Sequence, residues 1–152
     1  MSGEIKETMN KVTDAIGGTV GKMGASMATS ADGFVEQAAI GDMYEIMAGR
    51  LALQRSRNDR VRMMAKKMVD DHTTSSHHLM AALEMNETQG VAAPAAELDT
   101  RRETMLKHLT EASDEEFDRT YLDQQVLAHE ETTSLMRSYT EKGDNPQLRS
   151  LA

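Results

Sequence analysis

"ADGFVEQAAIGDMYEIMAGRLALQRSRNDRVRMMAKKMVDDHTTSSHHLMAALEMN", residues 31–86, decides the fold. Two runs in it repeat their apolar residues every three or four positions, the period of an α-helix with one buried face. The first spans about Ala31 to Gln54, with Ser30 placed as its N-cap. Its stripe is Phe34, Ala38, Gly41, Glu45, Ala48 and Ala52, widened by Val35, Ala39, Met43, Ile46 and Leu53. The second spans about Asp59 to Asn86 behind the cap residue Asn58, with the stripe Val61, Ala65, Met68, His72, Ser75, Leu79 and Ala82. Only "RSRN" separates them, so the helices are predicted to be antiparallel neighbours.

The pattern continues on the C-terminal side. Gly90 and Pro94 in "TQGVAAPAAE" break it. A third helix is predicted over about Leu98 to Glu111. A fourth is predicted from Asp114 to Lys142, started by a Ser113/Glu116 capping box and stopped at Gly143. Asn145-Pro146 reads as a cap and first position of a short fifth helix. Nothing reads as a strand. The expectation is an all-α, antiparallel four-helix bundle over residues 30–152, preceded by a separate amphipathic segment, residues 1–29. In that segment Ile5, Met9, Val12, Ile16, Val20, Met23 and Met27 form a helical stripe interrupted by Gly17, Gly18, Gly21 and Gly24. Each glycine weakens the helix by about 1 kcal/mol relative to alanine. Such a stripe needs something to pack on, whether the bundle, a partner chain such as a second copy, or a membrane surface; with none it reads as a frayed or loosely docked tail.

Composition narrows the function classes. With 152 residues the chain can bury one substantial core, and with 3% aromatics, no Trp and 13 Met that core is aliphatic and thioether-rich. A net charge of -8 argues against nucleic-acid binding. The absence of Cys excludes disulfides and thiolate metal sites. No apolar run reaches the roughly 18–20 residues of a transmembrane segment. The opening "MSGEIKETMNKV" has acids where a signal peptide has a basic start, so the chain as given reads as cytoplasmic. Arg50, Arg55, Arg57, Arg60, Arg62, Lys66 and Lys67 gather at the end of the first hairpin and read as a solvated basic pole.

Two stripes carry an ionisable residue at a core position, Glu45 and His72. Counted from the turn near Arg57, Glu45 lies about 12 residues down one helix and His72 about 15 along the other, so their levels differ by about 5 Å. His129, about 16 residues past Ser113, reaches nearly the same depth, and Asp71 borders it. An inward Glu and His can simply pair. Three groups converging from three helices equally suit a cation, which would offset the cost of a buried carboxylate. The candidate metal ligands are therefore Glu45, His72 and His129, with Asp71 beside them. A single divalent ion, Zn or Fe, is the expected cofactor. His77 and His78 are rotated off the stripe and predicted to be surface residues. His108 is expected to be peripheral, and Asp118 structural.

"FVEQAAIGDMYEIMAGRLALQRSRNDRVRMMAKKMVDDHTTSSHHL" and "EEFDRTYLDQQVLAHEETTSLMRSYTEKGDNPQLRSLA" resemble the bacterial domain-of-unknown-function family 4142 (DUF4142), on Glu45, "MVDDH", "FDRTY" and His129. The resemblance implies a ferritin-like helical bundle. It also implies that a periplasmic location is open, since members are often exported. No Glu-x-x-His occurs, so the di-iron chemistry of ferritin-like enzymes is not expected. The reading is a non-enzymatic, stress-related bundle with one divalent metal. The alternative is an interaction protein assembling through its N-terminal helix, with Glu45 and His72 purely structural. A metal-dependent enzyme comes third.

Overall fold

The computed structural model describes residues 3–152 and is all-helical, with no strand among the described residues. The helices are α1 (Gly3–Met27), α2 (Ala31–Arg55), α3 (Asp59–Leu83), α4 (Thr100–Glu111), α5 (Phe117–Lys142) and α6 (Pro146–Leu151), with a 3-10 turn at Asn86–Thr88. None of them is long and apolar enough to cross a membrane. The predicted caps Ser30, Asn58 and Asn145 each accept backbone N–H bonds at a helix start. The Ser113/Glu116 box does not form. Residues 113–116 close a turn through Glu116 N–H to Ser113 O, and the helix begins only at Phe117. Asp99, unassigned by sequence, caps α4.

Helices α2 to α5 alternate in direction, with short turns joining α2 to α3 and α4 to α5 and a longer link over residues 84–99 joining α3 to α4. Glu45 meets His72 and Gln125, and Phe34 stacks on Tyr139, which fixes the antiparallel register of α2 against α3 and α5. Helix α2 is central. It packs on three helices, so its buried positions are not a single stripe and include Ile40, Asp42 and Tyr44. Gly49 lets α3 approach α2. A Cβ there would meet Val69 Cγ2 at 2.7 Å and the Ala65 carbonyl at 3.0 Å. Gly49→Ala is thus expected to destabilise by about 1–3 kcal/mol from overpacking, against a helix-propensity gain of about 1 kcal/mol. A lower urea midpoint with unchanged slope would show it; a higher midpoint would mean the two helices can move apart freely.

The core consists of two apolar clusters stacked along the bundle. One joins Phe34, Val35, Leu79, Leu135, Tyr139 and Leu148. The other joins Tyr44, Ala52, Val61, Ala65, Leu109 and Tyr121. Residues 42–45 of α2, 72 of α3 and 125–129 of α5 fall between them and supply a polar layer.

The basic pole is not simply solvated. Arg55 donates to the carbonyls of Leu109, Thr110 and Ala112 at the end of α4, and its guanidinium lies 4.6 Å over the Phe117 ring. Arg62 reaches back to the Leu53 and Ser56 carbonyls at the end of α2. Both offset the negative end of a helix dipole, their own helix's or a neighbour's.

Helix α1 departs most from expectation. It lies against α5 in parallel orientation. Lys11 pairs with Asp123 at 3.2 Å, Gly18 sits under Leu127, and Gly21 sits under Glu131. Its inward face is Asp14, Gly18 and Ala25. The apolar stripe does not pack on the bundle: Met9, Val12, Ile16, Val20, Met23 and Met27 are all exposed. The reason is the inward surface. A Cβ at Gly18 would stand 2.8 Å from Leu127 Cδ2, and one at Gly21 would strike the Arg101 guanidinium that pairs with Glu131, so glycine permits an approach that a larger residue would block.

Candidate metal centre

The polar layer is built around Glu45, which is 2% exposed. Gln125 Nε2–H donates to its Oε1 at 3.1 Å, and His72 Nε2 lies 3.8 Å from its Oε2. His72 Nδ1 lies 2.7 Å from Asp42 Oδ1. An ionised carboxylate only accepts, so Nδ1–H donates to Asp42, and Nε2 turns toward Glu45, offering a lone pair only when His72 is neutral. This carboxylate–histidine arrangement orients metal-ligating imidazoles. One ligand atom each from Glu45, His72 and His129 lies within 4.8 Å of the other two. Ligands bound tetrahedrally at 2.0–2.1 Å stand about 3.4 Å apart, so side-chain rotations closing about an ångström would let the three share one ion.

Burial falls across the group: Glu45 is buried, His72 half-buried and His129 exposed. The cluster therefore runs from the core to the surface instead of lying wholly inside the bundle. His129 stands where an ion would enter. Asp71, grouped with the ligands from its adjacency to His72, is turned away. It is exposed and pairs with Lys67 Nζ at 2.5 Å, one turn back on the same face. His77 and His78 are exposed. Asp118 is half-buried in the first turn of α5.

Electrostatics mark the layer as strained. Burial pushes the Glu45 carboxyl up to about 7, against the opposing pull of His72 and Gln125. Burial lowers the His72 pKa, but the Asp42 hydrogen bond and the Glu45 charge outweigh it and hold it above its ordinary value. Burial and the His72 charge both lower that of His129. Four buried side-chain atoms have no hydrogen-bond partner among the described residues: Asp42 Oδ2, Glu45 Oε2, Gln125 Oε1 and Tyr121 Oη. All belong to this layer or to the turn of α5 next to it. Buried polar atoms are normally satisfied, so such a concentration calls for a further group.

A second polar chain runs beside the first. Tyr44 O–H donates to Gln124 Oε1 at 2.5 Å, Gln124 Nε2–H to Asp14 Oδ2 at 3.1 Å, and His108 Nδ1 lies 2.8 Å from Asp14 Oδ1. His108, expected to be peripheral, instead ties α4 to α1. Asp14 and His108 border a cleft of about 660 Å³ between α1 and α5, which none of the three candidate ligands lines.

Sequence reasoning missed Asp42 and Gln125. The depth count applied to Glu45 and His72 also brings Asp42, one turn earlier on α2, level with His72. A Gln pair in mid-helix α5, flanked by apolar Leu122 and Val126, was the other available signal.

The described residues thus form a helical bundle in which Glu45, His72 and His129 come together from three helices. The chain belongs to the family described as a domain of unknown function (DUF4142), whose profile matches residues 19–152. No curated protein and no solved structure matches it.

Proposed function

We propose that the protein is a non-enzymatic helical-bundle protein that binds one divalent transition metal through Glu45, His72 and His129, with Asp42 orienting His72. The observation that carries this reading is the unpartnered Glu45 Oε2, buried and 3.8 Å from the His72 Nε2 lone pair. Two imidazoles and a carboxylate suit Zn²⁺ or Fe²⁺ and leave coordination positions for solvent. A purely structural Glu–His pair is the second reading. It accounts for the Asp42–His72 bond but leaves Glu45 Oε2 without a hydrogen-bond partner.

Metal analysis of protein purified without a histidine tag is the test. About one equivalent of Zn or Fe is expected, falling to near zero in His72→Ala and staying near one in His77→Ala and His78→Ala. Zinc at about 100 times its dissociation constant should stabilise the wild type by about 2.7 kcal/mol. Glu45 and His72 must both lose protons to bind, and both have raised pKa values. Affinity should therefore fall as pH drops below about 7. Protein that takes up no metal after incubation with Zn²⁺ or Fe²⁺, or that loses it equally in His77→Ala, would sink the proposal.

A further inference from the structure

The outward face of α1 carries Met9 at 53% exposure, Val12 at 53%, Ile16 at 63%, Val20 at 62%, Met23 at 62% and Met27 at 78%. These six side chains, each more than half exposed, line one side of α1, and a contiguous exposed apolar face of this kind marks an interaction surface. Their spacing repeats after eleven residues, Met9 to Val20, Val12 to Met23 and Ile16 to Met27. An eleven-residue repeat, about 3.67 per turn, keeps the stripe along one side of a nearly straight helix.

The same spacing is a palindrome centred on Ile16. Val12 and Val20 are equidistant from it, as are Met9 and Met23, and Ile5 and Met27. Two such helices laid antiparallel therefore set apolar residue against apolar residue along their length. No charged residue then stands opposite another: Lys6 meets Ser26, Lys11 meets Gly21, and Lys22 meets Asn10. Thr13 and Thr19 face each other beside the centre.

We propose that two copies of this chain pack antiparallel along the outward faces of α1, with Ile16 on the two-fold axis. A second copy fits better than an anionic membrane surface. The chain carries a net charge of -8, α1 itself balances Lys6, Lys11 and Lys22 against Glu4, Glu7 and Asp14, and Lys6 and Lys11 are held by Glu111 and Asp123. A membrane-surface helix keeps its lysines free for lipid headgroups. The contact needs no rearrangement of the bundle, because the inward face of α1 is already engaged with α5 and α4.

The cysteine-free chain allows a direct test of register. Ile16→Cys should cross-link to itself under mild oxidation. Met9→Cys alone and Met23→Cys alone should not, since like positions would stand about 21 Å apart, whereas a mixture of the two should give the mixed dimer. Sedimentation equilibrium should give twice the chain mass for the wild type and the single mass for Ile16→Glu. Helix content and melting of the Ile16→Glu monomer should match the wild type at the same low concentration, because Ile16 is exposed within the chain. Three results would overturn the proposal: a monomeric mass for the wild type at every concentration, self-linking of Met9→Cys, or a monomer that co-sediments with phosphatidylglycerol vesicles.

Discussion

Glu45→Gln is expected to make the metal-free protein more stable at pH 8, by roughly 3 kcal/mol, while leaving it nearly unchanged at pH 4. The carboxyl of Glu45 is pushed from 4.5 to about 7 by burial. A raised folded pKa means the native state holds this proton more tightly than the unfolded chain. Its contribution is full below 4.5 and is lost as pH rises through about 7. His72, also raised, loses stability in the same direction, while His129, lowered, gains some as pH rises. Glutamine keeps the acceptor for Gln125 and offers an N–H to the His72 Nε2 lone pair, with no charge to bury. Urea unfolding of chelator-treated protein at the two pH values measures the effect. In excess Zn²⁺ the order should reverse, because the variant lacks a ligand. A variant less stable than the wild type at pH 8 without metal would show that Glu45 is already well compensated. A residue that costs the apo fold stability at neutral pH is characteristic of a site shaped for a ligand.

Glu131→Ala should lower stability by about 3–5 kcal/mol, about 10 °C in melting temperature. Glu131 is 5% exposed and its Oε1 accepts from both Arg101 and Arg102. Arg102, itself buried, is held on its other side by Asp99 at 2.6 Å. Truncating Glu131 leaves a buried guanidinium with one carboxylate where it had two, and the unpaired charge carries most of the penalty. Glu131→Gln, which keeps an acceptor, should lose less than half as much. Added salt should rescue neither, since the pair is shielded from solvent. If Glu131→Ala unfolds at the wild-type temperature, the pair belongs with solvent-screened surface contacts.

The bundle was legible because α2, α3 and α5 carry apolar residues at helical period and the link between α2 and α3 is short. Ser30, Asn58 and Asn145 marked helix starts because a side-chain oxygen there meets an orphan N–H whatever the tertiary context. Ser113 failed because a capping box needs the helix to begin beside it, and a turn intervenes. The proximity of Glu45, His72 and His129 followed from counting residues along antiparallel helices, which needs only the rise per residue. Asp42 required knowing which flank of α2 faces α3. Asp71 shows the opposite error: adjacency in sequence rotates a side chain about 100° around a helix, here onto the solvent side. The orientation of α1 could not be read at all. An apolar stripe has the same period whether it faces its own chain or another, and the inward face of α1, with Asp14, Gly18, Gly21 and Ala25 at helical spacing, is built of polar bonds and glycine clearance and so does not read as a core face.

The polar layer takes its residues from α2, α3 and α5, and α1 gives it none. Peeling α1 away would break the Asp14 bonds to His108 and Gln124 and the Lys6–Glu111 and Lys11–Asp123 pairs, but would touch none of Glu45, His72 and His129. The molecule thus has an outer helix tied on largely by polar contacts and inner helices that carry most of both apolar clusters, two kinds of adhesion that need not yield together. Movement of the outer helix would leave Glu45, His72 and His129 on their own three helices, so a change at the surface need not reach the centre.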